Sequence, residues 1–146
     1  MNDDIGDSSN ERNSVAENPQ SGDNPECNGQ VVLGVGVGTL KRVETHLDWG
    51  EWAVLPADNF TGPGANSWKA QAVPSQSRER PGVAGQFRYQ TGDDALINIH
   101  FYVPSRGDND VYIYATGKNK DKYECSVTLI PRRNSISPVY TINKKV

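Results

Sequence analysis

The sequence predicts an all-β protein: a single antiparallel β-sandwich of about eight or nine strands behind a disordered N-terminal tail. Three observations carry this. Short β-rich runs alternate with turn residues from Gln30 onward, and no segment sustains a helical period. Residues 95–103 alternate strictly, with Ile97, Ile99, Phe101 and Val103 on one face and Asn98, His100 and Tyr102 on the other. Third, the composition divides the chain sharply near residue 28.

Residues 1–28 hold few large apolar side chains beyond Met1, Ile5 and Val15. Such a segment cannot bury enough area to offset its ordering entropy, so it is expected to be a disordered acidic tail. Residues 29–146 then form one domain, a sufficient length for a core.

The strands follow in order. Residues 31–37 read as a first strand, with Gly34, Gly36 and Gly38 leaving a bare strip on one face. Their spacing fits neither nucleotide-binding fingerprint, and no helical pattern follows. Residues 40–48 alternate Val43, Thr45 and Leu47 against Arg42, Glu44 and His46, a half-buried strand. A turn at Asp48, Trp49 and Gly50 leads into a short strand over 52–55, and residues 57–66 read as an exposed loop. Residues 67–73 form a strand with Trp68, Ala70 and Ala72 on one side, and 74–82 a second polar loop. Residues 83–90 and 95–103, joined by Thr91-Gly92-Asp93-Asp94, form a hairpin. Strands over 111–115, 122–130 and 139–142 complete the sandwich.

The net charge of −3 argues against general nucleic-acid binding, which needs a basic face. The tail accounts for the deficit, since seven carboxylates there face only Arg12 and the remainder is mildly basic. Cys27 and Cys125 set no disulfide framework, and two independent thiols are expected rather than a bridge. No apolar signal region follows Met1, and no stretch approaches a membrane span. The expectation is a soluble protein, either cytoplasmic or secreted without an ordinary signal peptide.

Chemistry for catalysis is thin. His46 and His100 sit mid-strand and form no ligand motif with the cysteines, so neither a metal nor another cofactor is expected. Asp93 and Asp94 are accounted for by turn chemistry, and Asp108-Asn109-Asp110 lacks the distal glutamate of a calcium loop. Arg106-Gly107-Asp108 spells an adhesion tripeptide too short to carry weight. The chain is expected to bind rather than to catalyse. About two-thirds of the aromatic rings are assigned to the core, and those at turns, Trp49 foremost, to a surface where amphipathic rings suit a membrane interface or a sugar face.

The run Pro81-Gly82-Val83-Ala84-Gly85-Gln86-Phe87-Arg88-Tyr89, then Gly92-Asp93, then Ile99-His100-Phe101-Tyr102-Val103-Pro104 resembles a hairpin of membrane-binding cytolysins. Phe101-Tyr102 with Gly107-Asp108-Asn109, and Trp49-Gly50 upstream, resemble the aegerolysin form. Val103-Pro104 and Val54-Leu55-Pro56 resemble the actinoporin form. The resemblance implies a cytolysin/lectin-type sandwich that recognises membrane lipid, of sphingolipid type. Actinoporins form pores with an amphipathic N-terminal helix, and the polar tail here implies lipid recognition without autonomous pore formation, any pore requiring a protein partner. The first positions to test are Trp49, Trp52, Trp68, Tyr102, Tyr112 and Arg106, with rings entering the interface and Arg106 meeting a phosphate. The alternative is a carbohydrate-binding module that uses the same rings as stacking platforms.

Overall fold

Alternation along the chain resolves into two stacked sheets. The structure, a computed structural model, describes residues 11–15, 25–73, 82–104, 107–131 and 135–145. Its strands are β1 (Glu11–Val15), β2 (Glu26–Leu33), β3 (Thr39–Trp49), β4 (Glu51–Val54), β5 (Asn59–Thr61), β6 (Gly64–Gln71), β7 (Gly82–Gln90), β8 (Leu96–Pro104), β9 (Asn109–Thr116), β10 (Tyr123–Pro131) and β11 (Ser135–Lys144). The only helical piece among the described residues is one 3-10 turn, Lys120–Lys122. No described helix is long and apolar enough to cross a membrane.

A six-stranded sheet has the order β1-β9-β8-β7-β3-β5, and a five-stranded sheet the order β10-β11-β2-β6-β4. The predicted sandwich is therefore present. Its pairings are antiparallel except for β2 with β11, which run parallel, Glu26 opposite Ser135 and Leu33 opposite Ile142. The chain crosses between the two sheets seven times from β1 to β11. β2 passes through the 34–38 turn into β3, and β3 passes through Gly50 into β4.

Four details differ from the sequence reading. Two pieces of the expected tail lie in strands: β1 pairs with β9, and β2 starts at Glu26 rather than past residue 28. The outer side of β9 offers a row of unpaired amides and carbonyls, and backbone pairing needs no apolar side chain to satisfy them. Second, residues 35–38 are not strand. Gly36 and Gly38 have φ of +92° and +79°, so these two glycines turn the chain instead of presenting a bare face. Third, the expected 57–66 loop contains β5 and the first residues of β6, and Phe60 is fully buried. A three-residue strand is too short to show alternation. Fourth, β11 starts at Ser135, four residues ahead of the expected strand. The loop expected at 74–82 lies outside the described residues up to position 81.

The core sits between the sheets. Ile97, Ile99, Phe101, Val111 and Ile113 come from one side, and Val31, Trp68, Val127, Tyr140 and Ile142 from the other. Trp68 is central. Its ring lies 4.9 Å from Phe101, 5.1 Å from Phe87, 6.0 Å from Trp52 and 6.3 Å from Tyr140. Cys27 and Cys125 are both buried, and no disulfide joins them.

The β7–β8 turn is pinned by Asp93. Its Oδ1 accepts hydrogen bonds from the Tyr123 hydroxyl (2.6 Å) and the Thr91 hydroxyl (2.8 Å), and its Oδ2 lies 3.2 Å from Lys144 Nζ. The Tyr123 bond leads in holding the carboxyl down to about 2, against partial burial. A depressed carboxyl stabilises the fold above its unfolded value and loses that contribution as pH falls through the folded one. We expect the urea midpoint of the wild type to drop between about pH 4 and pH 2, and Asp93→Asn to flatten that drop. An equal slope in both proteins would remove Asp93 from the acid response.

Candidate functional site

The outer face of the six-stranded sheet collects side chains in rows, because residues paired across antiparallel strands share a face. One row runs Trp49, Ala84, Tyr102 and Asp110; the next runs His46, Gln86, His100 and Tyr112; a third runs Glu44, Arg88, Asn98 and Tyr114. Register shifts in β3 between Arg42 and Glu44 and between Leu47 and Trp49 set which residues face out. A bulge inserts one residue and re-aims those after it. The second shift brings Trp49 opposite Ala84.

Ala84 has a consequence for its neighbours. Trp49 and Tyr102 belong to strands separated by β7, yet their ring centroids are 5.2 Å apart, tilted by 47°. The small alanine between them lets the rings close over it. Tyr102 is 42% exposed, and Trp49 is half-buried at the end of β3.

Behind this pair stands a stack. His100 lies on Tyr112 at 4.4 Å and 10°, and on Tyr114 at 5.7 Å and 13°, while the two tyrosines are 6.1 Å apart at 14°. Burial pushes the His100 ring down to about 4, although the Asp110 and Asp48 carboxylates pull the other way. At neutral pH the stack therefore holds a neutral imidazole. His46 Nε2 and Asp48 Oδ1 are 2.9 Å apart at the border of the patch. From the other sheet the Tyr140 hydroxyl donates to the His100 carbonyl (2.8 Å), tying the platform's backbone to the core. At the far end Arg88 pairs with Glu44, and Asn98 Nδ2 donates to the Tyr114 carbonyl (3.3 Å) and Thr116 Oγ1 (3.1 Å).

Three of the six sequence-chosen residues, Trp49, Tyr102 and Tyr112, meet on this face. Trp68 does not. It is 2% exposed, so it closes the core instead of meeting a ligand. Trp52 is also turned inward, half-buried against Trp68, Phe87 and Phe101. Arg106 lies outside the described residues. His100 and Tyr114 were passed over, His100 because an isolated mid-strand histidine is more often structural. The alternations Asn98-His100-Tyr102 and Tyr112-Tyr114 were visible, but the pairing that stacks them was not. No group of three or more His, Cys, Asp or Glu among the described residues could hold a metal ion. The arrangement offers flat, polar-tipped rings, suited to contact with an interface or a ring-faced ligand.

No family model matches the chain, and no curated protein matches its sequence. Solved structures do. The fold is similar to that of the lipid binding protein Nakanori, with a TM-score of 0.65 at 12% identity over 80% of this chain and 70% of that one. RahU, crystallised with a TRIS molecule, gives 0.65 at 13% identity over 84% and 96%. IP-1A from Alcaligenes faecalis gives 0.55 at 19% identity over 84% and 91%. At these identities the likeness is one of fold: the chain is a β-sandwich of the kind these proteins share.

Proposed function

We propose that this protein binds membrane lipid, without catalysis, through the Trp49–Tyr102 end of its six-stranded sheet. The observation that carries the reading is the pair of rings closed over Ala84, with the His100–Tyr112–Tyr114 stack behind it. Rings with an apolar body and a polar tip partition to the headgroup level of a bilayer. Fold similarity to a lipid binding protein supports this reading, as does the hairpin's resemblance to aegerolysins and actinoporins. That resemblance makes sphingolipid-type head groups the first to test. Any pore is left to a partner protein.

Fully burying a large apolar side chain is worth about 1.5–3 kcal/mol, and rings that enter only the headgroup layer gain a fraction of that. We therefore expect Trp49→Ala combined with Tyr102→Ala to lower vesicle partitioning by roughly tenfold or more. Co-sedimentation would use vesicles of phosphatidylcholine alone, with sphingomyelin, with sphingomyelin and cholesterol, and with phosphatidylserine. Absence of wild-type binding to every mixture would sink the proposal. Undiminished binding by the double variant would move the contact elsewhere on the molecule.

A further inference from the structure

The opposite face of the sandwich carries a second concavity. On the five-stranded sheet a shallow cleft of about 360 Å³ lies over β11, β2, β6 and β4. Two cross-strand rows line it. In one, Gln30 stands between Val139 and Ser67; in the other, Asn28 and Val54 flank Lys69, with Ser137 nearby on β11. The backbone of the Gly29–Trp68 pair contributes to the floor. That floor is rigid, because the Trp68 ring fills the space beneath Gly29 so closely that a Cβ there would sit 2.2 Å from Cζ2.

We propose that this cleft is a binding site for a neutral saccharide. Two carboxamides and two hydroxyls each donate and accept, the pattern that vicinal hydroxyls of a sugar present in return. An anionic ligand is disfavoured, since the one ammonium in the lining, Lys69, already lies 3.5 Å from the Glu26 carboxylate. Val54 and Val139 stand at opposite sides of the polar centre and can cover the C–H faces of a ring. Neighbouring strands lie about 4.8 Å apart, and successive outward residues about 7 Å apart, so four strands and two rows mark out a patch of roughly 14 by 7 Å. One or two pyranose rings laid across the strands fit that footprint, and the volume lies at the lower end of the range for small-ligand pockets. The cleft shares no residue with the aromatic face, so this inference does not depend on the lipid reading.

Amide NMR of the wild-type chain, titrated with lactose, cellobiose, mannobiose and chitobiose at millimolar concentration, tests the proposal directly. At least one of these is expected to shift the backbone signals of Asn28, Gln30, Ser67, Lys69 and Val139. Ser67→Trp, which fills the cleft from an exposed position, is expected to weaken that binding at least tenfold, as is Gln30→Ala to a smaller degree. Vesicle co-sedimentation of Ser67→Trp should match the wild type, which separates failure here from failure of the lipid contact. The proposal is overturned if no saccharide shifts these signals, or if the shifts fall only on Trp49, Tyr102 and Tyr112.

Discussion

Trp68→Ala is expected to lower the unfolding free energy by about 3–5 kcal/mol, the usual range for emptying a large aromatic site in a core. The ring touches four other aromatic side chains from both sheets, so no single neighbour can relax into the space it leaves. Its size matters against a total of about 5–15 kcal/mol for a domain of this kind. A loss of this order moves the thermal midpoint down by roughly 10 °C or more. Trp49→Ala supplies the contrast, because that ring is half-exposed and its removal is expected to cost about 1 kcal/mol or less. If the two substitutions prove equally mild in urea titrations, Trp68 is not the centre of the core.

Gly85→Ala is expected to cost about 2–3 kcal/mol, toward the upper end for overpacking. An added Cβ would lie 2.4 Å from the His46 carbonyl oxygen, 2.7 Å from Leu47 Cδ2 and 3.1 Å from Leu47 Cα. Two of those three contacts are backbone atoms of the paired strand, so rotamer change cannot relieve them and β3 must move off β7. The movement falls beside the second register shift, the one that places Trp49 opposite Ala84. Hydrogen exchange should therefore speed up at the amides of His46 and Leu47, and vesicle partitioning should fall with it. A variant that is destabilised yet binds vesicles as the wild type does would uncouple this bulge from the aromatic pair.

Much of the fold was legible because single strands leave a mark on one-dimensional sequence. The alternation in 95–103 gave β8 with its inward set, Ile97, Ile99, Phe101 and Val103, all of which are buried. The turn at Thr91 to Asp94 gave the hairpin. What the sequence does not carry is pairing. Trp49 and Trp68 both stand beside turn residues, and a Trp near a turn gives no sign of which way its ring points. The two bulges in β3 decide that for Trp49, and register with Gly29 decides it for Trp68. His100 likewise reads as an isolated histidine until β9 is laid alongside β8. β1 left no mark at all, since an edge strand held by its backbone needs no side-chain pattern.

The parallel pairing of β2 with β11 has a consequence for how the protein is made. β2 is already synthesised when residue 33 leaves the ribosome, but its partner on one side is complete only once Ile142 has followed. Until then the five-stranded sheet lacks its middle seam, and the apolar sides of Val31, Trp68 and Ala70 have only an incomplete layer to close over them. Chains dominated by such distant pairings fold in milliseconds to seconds, slowly for their size. Throughout that interval the nascent chain carries an open strand edge beside exposed aromatic surface, the combination that invites association with other chains. Yield in cells should therefore depend on chaperone capacity and growth temperature, more than the finished sandwich's stability would suggest.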